Sequence, residues 1–440
     1  MPASNRSLAV LISFCLVFGA ATATSTARGV KGPPRLEQRG KAKQLVVDGD
    51  PFLVVGGELG NSTASDLEYL ADALDRCASM NVNTVMLPVY WDLVEPVEGE
   101  FDFSLVEGAI DLARERDLKL VYLWFATWKN SMSAYAPTWV KRDTTRFPRI
   151  RQSNGEAAEI ISPESISARD ADARAFAQLM RWTKSYDAGR HTVVMAQVEN
   201  EIGMIPDPRD HGAPSDAIFT HAVPDKLVRL AGNGDLGPEI ERIWRENGGN
   251  RSGPWSRVFG DSPEGQEIFA AWRFASYVEH VAAAGKREYA LPMFVNAALI
   301  RPGYRPGNYP SGGPLPHLIE LWQATAPSLD MLSPDIYFPN FMDWASRYHR
   351  AGNPVFIPEM APSMRASANA VFAVGALNAI GSGPFAIEDV RDDKAWLLRR
   401  CYRHLRNMSS LILDAQSDGR ILGLAPEIGF DWTTSEDAAT

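Results

Sequence analysis

The chain has 440 residues, of which 45% are hydrophobic and 22% are charged, and its formal net charge is −10. This composition excludes the disordered and fibrous classes and allows one large globular domain or two smaller ones. The chain is acidic and its arginines are scattered, so we predict no nucleic-acid partner and a neutral or well-solvated substrate.

The N-terminal residues have the pattern of an export signal. Arg6 precedes an apolar stretch at 8–20, which is followed by the small residues of Ala21-Thr22-Ala23. This pattern predicts a signal peptide at 1–23 and a secreted or periplasmic protein with no membrane contact after its removal. The alternative is an uncleaved anchor, although the stretch is shorter than the ~20 residues that a bilayer span needs. Residues 24–44 are predicted to be a linker.

From residue 45 onward, short apolar runs alternate with stripes of helical periodicity, which indicates repeated βα units. The predicted strands lie at 52–56, 84–88, 118–125, 192–198, 292–295, 331–337, 355–358 and 384–387. The helical stripes lie at 67–77, 104–116, 176–182, 268–284, 318–324, 344–350, 368–380 and 396–413.

This alternation predicts an α/β fold, a closed (β/α)8 TIM barrel over 45–415. The barrel is longer than usual, and we assign the excess to long βα loops at 204–263 and 301–316 that would wall its mouth. Residues 416–440 include a strand-like run at 420–424 and are predicted to begin a small β element.

Two glutamates follow predicted strands four and seven. Glu201 closes the run Gln-Val-Glu-Asn-Glu-Ile-Gly at 197–203, and Glu359 ends an apolar run that begins at Val355. The strands of a closed barrel direct their C-terminal ends into one mouth. A retaining glycosidase needs a protonated carboxyl and an ionised one ~5 Å apart, so the pair predicts glycoside hydrolysis. The negative charge of Glu359 would raise the pKa of Glu201, the predicted acid/base.

Two motifs relate the chain to a known family. Residues 197–203 resemble the acid/base motif of the glycoside hydrolase family 35 β-galactosidases. Residues 90–103 (Tyr-Trp-Asp-Leu-Val-Glu-Pro-Val-Glu-Gly-Glu-Phe-Asp-Phe) are similar to that family's stretch after strand two, which the related family 42 shares in looser form. The resemblance is to the bacterial subgroup with a small β domain after the barrel, of which only the beginning is expected here.

The resemblance implies a role for each matching residue. Glu201 would be the acid/base, Glu359 the nucleophile, and Asn200 the amide that contacts the sugar 2-hydroxyl. Tyr337 would donate a hydrogen bond to the nucleophile, and Tyr90 would face the sugar. These roles agree with the chemistry, because a phenol donor keeps a carboxylate ionised and a 2-hydroxyl contact strengthens toward the transition state.

The third predicted strand departs from the family pattern. Residues 124–130 (Trp-Phe-Ala-Thr-Trp-Lys-Asn) replace an Asn-Ala-Glu-like triplet that reads the sugar, and residues 55–61 of the first strand also differ. We predict that Trp91, Trp128 and Asn130 contact the substrate instead, because aromatic rings stack on pyranoses and amides read hydroxyls. Packing within loops is the alternative for each of them.

The predicted function is a retaining exo-β-glycosidase, first of all a β-galactosidase that removes terminal β-D-galactosyl residues from oligo- or polysaccharides by double displacement. One alternative is a related β-glycosidase with another glycone, and the other is a catalytically silent carbohydrate-binding barrel. The seven histidines are dispersed without ligand spacing, so we predict no metal and no other cofactor. The oligomeric state stays open.

Overall fold

The computed structural model describes residues 32–430 except 351 and 427. The predicted signal peptide at 1–23 lies outside these residues, as do residues 431–440 of the predicted β element. The described chain forms a closed barrel of eight parallel strands with helices between them, which confirms the predicted fold class.

The strands belong to three sheets: an antiparallel sheet before the barrel, the barrel itself and a small hairpin. In chain order they are β1 (Arg35–Arg39), β2 (Ala42–Val47), β3 (Asp50–Phe52), β4 (Val54–Glu58), β5 (Thr84–Tyr90), β6 (Lys119–Lys129), β7 (Arg149–Arg151), β8 (Ala157–Ile161), β9 (Val193–Asn200), β10 (Met293–Ala298), β11 (Met331–Ile336), β12 (Phe356–Met360) and β13 (Gly381–Pro384). Neighbours around the barrel follow the order β4-β5-β6-β9-β10-β11-β12-β13, and β13 closes it by pairing with β4.

The helices follow the barrel strands or lie within the loops between them. They are α1 (Leu67–Ser79), α2 (Trp91–Val94), α3 (Ser104–Glu115), α4 (Thr138–Arg142), α5 (Ile166–Asp187), α6 (Ala213–Thr220), α7 (Asp225–Asn233), α8 (Pro238–Glu246), α9 (Trp255–Val258), α10 (Pro263–Glu288), α11 (Ile319–Thr325), α12 (Phe341–Tyr348), α13 (Ala366–Ala376), α14 (Asp392–Asn407) and α15 (Ser409–Asp418). No helix among the described residues combines the length and apolar character needed to cross a bilayer.

The barrel strands are buried on both faces. Every residue of β5, β9 and β12 is buried, which is usual for parallel strands covered by helices. Burial of these apolar side chains stabilises the fold by ~25 cal/mol per Å² removed from water. The polar side chains of the same strands cluster at their C-terminal ends, where the candidate site lies.

The prediction of a linker at 24–44 was wrong for its last part. Strands β1 and β2 pair in register from Arg35 with Val46 to Arg39 with Ala42, and β3 continues this antiparallel sheet. The Gln44 side chain donates a 2.7 Å hydrogen bond to the carbonyl of Leu413 on α15. This sheet is therefore part of the barrel domain, although its many charged residues resemble those of a linker.

Three predictions near the C-terminus also need correction. The eighth strand lies at β13, earlier than predicted, because its Gly-Ser-Gly-Pro sequence lacks the β-branched and aromatic residues by which strands are recognised. The helix predicted at 396–413 is divided at Met408 into α14 and α15. The strand predicted at 420–424 is not formed; this segment has no regular secondary structure.

The first long βα segment, 204–263, is largely helical rather than an irregular loop, since it contains α6 to α9. It is joined to the second one, 301–316, by a pair of backbone hydrogen bonds between Met204 and Ser311, each 2.9 Å long. Both segments follow strands at their C-terminal ends, so they lie at the mouth, as predicted.

Candidate active site

The two predicted catalytic carboxyls lie at the same end of the barrel. Glu201 follows the last residue of β9, and Glu359 is the fourth residue of β12. Their exposed fractions are 7% and 5%, so both are nearly buried but remain open to the mouth. The negative charge of Glu359 is one of the causes that raise the pKa of Glu201, which places the two carboxyls near each other.

Glu201 is fixed at both its backbone and its side chain. Its N–H donates a 2.9 Å hydrogen bond to Oδ1 of Asn296 on β10, and its Oε2 accepts a hydrogen bond from Nδ2 of Asn130. Its backbone φ of 44° lies in the left-handed region, a strained conformation that is concentrated at functional sites. Burial, and then the charge of Glu359, raise the pKa of Glu201 to about 7. A carboxyl with this pKa can act as a general acid near neutral pH.

Glu359 has the environment of a carboxylate that must stay ionised. The hydroxyl of Tyr337 donates a hydrogen bond to its Oε1, as the resemblance implied. Burial raises the pKa of Glu359, and the charge of Lys129 and the hydrogen bond from Tyr337 lower it. The phenol and the ammonium therefore counteract the effect of burial.

A polar connection that we did not predict runs between these carboxyls across β10 and β11. Asn296, which holds the backbone of Glu201, donates a 2.5 Å hydrogen bond through Nδ2 to Oδ2 of Asp335. Asp335 is paired in register with Glu359 on the adjacent strand. Burial, and then the charge of Glu359, raise the pKa of Asp335 well above its usual range. Polar residues that end apolar strands were the signal that could have identified Asn296 and Asp335.

Two further charged residues belong to the site and were not predicted to act there. Glu58 ends β4 and is 1% exposed, and Lys129 ends β6 and is 5% exposed. The ammonium of Lys129 lies 4.8 Å from the centroid of the Phe125 ring. Its charge lowers the pKa of Glu58, Glu201 and Glu359. Lys129 thus supplies a positive charge to a cluster of carboxyls.

Asn200 is buried, and neither its Oδ1 nor its Nδ2 has a hydrogen-bond partner among the described residues. An amide that is buried without partners costs free energy, about 1–3 kcal/mol for each group. Such atoms at the end of a barrel strand are suited to a polar ligand. The arrangement agrees with the predicted contact between Asn200 and a sugar hydroxyl.

The structure does not place Trp91 and Trp128 at the surface of the site, so their predicted stacking on a sugar is not supported. Both side chains are fully buried. The indole N–H of Trp91 donates a 2.8 Å hydrogen bond to Glu95, and that of Trp128 donates a 3.0 Å hydrogen bond to the carbonyl of Ile161. Both rings are therefore packing residues, but they lie on α2 and β6 and not within loops, where the alternative prediction placed them.

Tyr90 lies at the end of β5, as predicted, but none of its described contacts is with the catalytic carboxyls. Its ring stacks on Tyr135 with a centroid distance of 5.4 Å. Its hydroxyl is buried without a hydrogen-bond partner in the described structure, and burial raises its pKa. The predicted contact between Tyr90 and the sugar stays a prediction.

A second buried carboxyl pair lies behind β6. Glu199, in the same tripeptide as Glu201, accepts a 2.7 Å hydrogen bond from the backbone N–H of Trp128. Its neighbour Asp172, on α5, accepts hydrogen bonds from the indole of Trp124 (2.9 Å) and the hydroxyl of Thr127 (2.7 Å). Burial, and then the charge and hydrogen bond of Asp172, raise the pKa of Glu199 well above its usual range. This pair ties the segment that carries Asn130 to β9.

The mouth cluster provides a carboxyl with a pKa of about 7, a second carboxyl that accepts a hydrogen bond from a phenol, and unpaired polar groups beside them. These are the groups that glycoside hydrolysis requires. In the part of the chain that the structure describes, no group of three or more His, Cys, Asp or Glu residues is arranged to hold a metal ion.

Comparison with known proteins adds family information for part of the chain. Residues 63–226 match the family model Glyco_hydro_42, described as Beta-galactosidase. A β-galactosidase from Xanthomonas manihotis is 26% identical over 198 residues, which are 43% of this chain and 30% of that protein. The chain is therefore similar to β-galactosidases over a segment that contains Glu201 but not Glu359. The matched model is that of family 42, and not that of family 35.

Solved structures share the fold. A family 42 β-galactosidase from G. stearothermophilus superposes with a TM-score of 0.55 at 15% identity, over 82% of this chain and 57% of that one. The catalytic domain of a β-amylase from Paenibacillus polymyxa superposes with a TM-score of 0.52 at 13% identity, over 77% and 94%. Proteins named for different substrates match almost equally well, so these structures establish the barrel and not its substrate. The chain spans less than two thirds of the β-galactosidases it matches.

Proposed function

We propose that this protein is a retaining β-glycosidase that acts on terminal β-D-galactosyl residues of oligo- or polysaccharides. The observation that carries the proposal is a pair of buried carboxyls at the barrel mouth that have different partners: an amide for Glu201 and a phenol for Glu359. Burial and the charge of Glu359 raise the pKa of Glu201 to about 7, whereas Lys129 and Tyr337 favour the ionised form of Glu359. Burial raises the pKa of both carboxyls, but the charge of Glu359 raises that of Glu201 further, and the phenol of Tyr337 bonds only Glu359; this difference assigns Glu201 as the acid and Glu359 as the nucleophile.

In the first step Glu359 attacks the anomeric carbon, and the bond to the leaving oxygen breaks as Glu201 gives that oxygen its proton. In the second step Glu201 takes a proton from water, and the oxygen of that water displaces Glu359 with a second inversion. Asn200 would donate to, or accept from, the sugar 2-hydroxyl with its two unpaired amide atoms. The hydrogen bond from Tyr337 would stabilise Glu359 as the leaving carboxylate.

Galactose is proposed as the glycone because the relatives that match by sequence are named β-galactosidases. The closer affinity to family 35 is a finer proposal, supported by the motif at 197–203 alone. A related glycosidase with another glycone and a silent carbohydrate-binding barrel remain the competing functions. Unpaired polar atoms would serve any of these three, but a binding barrel does not need the carboxyl pair.

We also propose that the protein is exported, on the basis of the apolar stretch and small residues at 8–23. Fusion of residues 1–31 to a reporter that is active only after export provides the test. Reporter activity that is lost when Leu11 and Leu16 are both replaced by Arg would support export, and an inactive fusion that accumulates in the cytoplasm would contradict it.

The function is tested with nitrophenyl β-D-glycosides of galactose, glucose, mannose and arabinose, using the full chain and its Glu359→Ala variant. We expect hydrolysis of the galactoside by the parent and a loss of about 10⁴-fold or more in the variant, because no covalent intermediate can form. Azide should restore turnover of the variant and yield a glycosyl azide of inverted anomeric configuration.

The matched control is Glu115→Ala, which removes an exposed carboxyl on α3 and should leave the rate unchanged. Hydrolysis of another glycoside alone would refute the galactosidase assignment and keep the mechanism. If the folded parent hydrolyses none of them, the enzymatic function is rejected in favour of a binding barrel.

A further inference from the structure

Glu58 is a third carboxyl in the mouth, on the strand that closes the barrel. It ends β4, which pairs with β13, and β13 in turn pairs with β12, the strand of Glu359. Its carboxyl is 1% exposed, so it is more buried than either predicted catalytic residue. Nothing in the proposed acid and nucleophile steps uses this group.

Strand β13 lies between β4 and β12, and its Gly383 faces the backbone of both neighbours. A Cβ added at Gly383 of β13 would lie 3.3 Å from Cα of Gly57 on β4 and 3.1 Å from the carbonyl oxygen of Pro358 on β12. Both distances are tighter than ordinary van der Waals contact, so a side chain at this position would push the strands apart. Glu58 and Glu359 each follow one of these contact points in sequence. Glu58 and Glu359 therefore lie on the two sides of β13 at the level of Gly383.

The two carboxyls leave complementary atoms without partners. Oε1 of Glu58 and Oε2 of Glu359 are both buried, and neither has a hydrogen-bond donor among the described residues. The other oxygen of Glu359 already accepts the hydrogen bond from Tyr337. Two buried carboxylates in contact cannot both be ionised, but one proton between them satisfies both orphaned groups.

The surroundings place that proton on Glu58. Burial, and then the charge of Glu359, raise the pKa of Glu58 well above its usual range. A hydrogen bond between the two carboxyls, with the proton on Glu58, raises the pKa of Glu58 and lowers that of Glu359. Tyr337 and Lys129 also lower the pKa of Glu359. Glu359 thus carries the charge and Glu58 stays neutral.

We propose that Glu58 is a positioning residue that holds a proton throughout the reaction and donates it in a hydrogen bond to Glu359, which keeps the nucleophile ionised and oriented. This inference rests on the proposed glycosidase function. Glu58 neither gains nor loses its proton in either step, because Glu201 supplies and recovers the proton that the leaving group and water exchange. Together with Tyr337, Glu58 gives Glu359 one donor for each oxygen.

The proposal distinguishes three replacements of Glu58. Glu58→Gln keeps a donor of the same shape, through its amide, but has no titratable proton. Glu58→Leu keeps the approximate volume and removes the donor. Glu58→Asp keeps the acid but shortens the side chain, so its proton no longer reaches Glu359. The aspartate variant is used in place of Glu58→Leu if the leucine variant does not fold.

The measurement is the pH dependence of inactivation by a 2,4-dinitrophenyl 2-deoxy-2-fluoro-β-D-galactoside, which traps the nucleophile as a glycosyl ester. The dinitrophenolate leaves without an acid, so the pH dependence of this reaction reports ionisation of Glu359 and not of Glu201. For Glu58→Gln we expect the inactivation rate to fall at the same acidic pH as in the parent. At higher pH its rate should lie within tenfold of the parent rate. For Glu58→Leu and Glu58→Asp we expect that limb to move up by about one pH unit and a 10- to 100-fold loss in kcat with little change in KM.

An acidic limb that is the same in the parent and all three variants would refute the proposal. A glutamine variant as impaired as the leucine variant, with a raised KM in both, would also refute it and would indicate that the acid of Glu58 contacts the sugar. If the parent itself is neither labelled nor active on any glycoside, the proposed function fails instead, so the two failures are separate observations.

Discussion

The tripeptide Glu199-Asn200-Glu201 contributes residues to two buried carboxyl clusters of this barrel. The clusters differ in how many of their polar atoms have hydrogen-bond partners. Behind β6, the Glu199 and Asp172 pair accepts hydrogen bonds from a backbone N–H, an indole and a hydroxyl, and of its four carboxyl oxygens only Oε1 of Glu199 has no partner among the described residues. At the mouth, by contrast, Asn200, Glu58, Glu359 and Asp335 all have buried atoms without partners among the described residues.

The difference shows that burial and perturbed pKa values do not by themselves identify a functional site. The pKa of Glu199 is raised well above its usual range, like those of Glu58 and Asp335, but three of the four carboxyl oxygens of its pair accept hydrogen bonds from the protein. A protein gains stability from polar groups that it satisfies itself, whereas groups kept unsatisfied are available to a ligand. The inner cluster should therefore determine stability, and the mouth cluster should determine chemistry.

After the Glu359→Ala variant, the largest effect should come from Glu201→Gln, which removes the acid and keeps its shape. For substrates with poor leaving groups we expect a loss of about 10³- to 10⁴-fold in kcat, because only these need protonation. The loss on dinitrophenyl glycosides should be much smaller.

The same variant should change the pH profile. Glu201 is protonated below its pKa of about 7, so the parent should lose acid catalysis as the pH rises through that value, and the variant should lack this alkaline limb. Steady-state rates from pH 4 to 9 on both substrate types provide the test. Equal losses on the two types would argue that Glu201 is not the acid.

The next effect is on stability and concerns the inner cluster. Asp172→Ala leaves the buried donors of Trp124 and Thr127 unpaired, so we expect the free energy of unfolding to fall by about 3 kcal/mol. The control on the same helix, Asp170→Ala, removes a half-exposed carboxyl and should cost much less. Urea unfolding compares the two. A stability loss no greater than that of the control would contradict the division between the clusters.

Asn200→Ala should lower activity and not stability, the reverse of what we expect for Asp172→Ala. It removes an amide without partners, so stability should be unchanged or slightly higher. The kcat should fall about 10²-fold on ordinary glycosides, because the 2-hydroxyl contact strengthens in the transition state. The matched control is a 2-deoxy glycoside, on which parent and variant should differ little. A clear stability loss with unchanged kcat would make Asn200 a structural residue.

The smallest effect is expected for Trp91→Phe, which tests whether Trp91 is a buried packing residue and not a substrate contact. The change removes the hydrogen bond from the indole to Glu95 and should lower stability by about 1–2 kcal/mol, with KM unaltered. Trp396→Phe, at a half-exposed tryptophan of α14, is the control and should be neutral. A raised KM in the Trp91 variant would restore the tryptophan to the substrate site.

Much of the barrel could be predicted from the sequence, because its parallel strands are continuous apolar runs and its helices carry regular apolar stripes. Glu201 and Glu359 were identified because each follows such a run. The prediction was wrong where local composition conceals structure, as in β13, whose glycines resemble a turn, and in β1, whose charges resemble a linker.

The sequence by itself determined which strands carry carboxyls and that their C-terminal ends share one mouth. Only the tertiary structure decided which polar residues meet there, because contacts among β4, β6, β11 and β12 join residues up to about 300 positions apart, as with Glu58 and Glu359. It placed Lys129 among the carboxyls and Trp128, its neighbour, in the core, since successive residues of a strand point to opposite faces. Whether a carboxyl is acid, nucleophile or hydrogen-bond donor depends on burial and neighbouring charges, which arise only when the barrel closes.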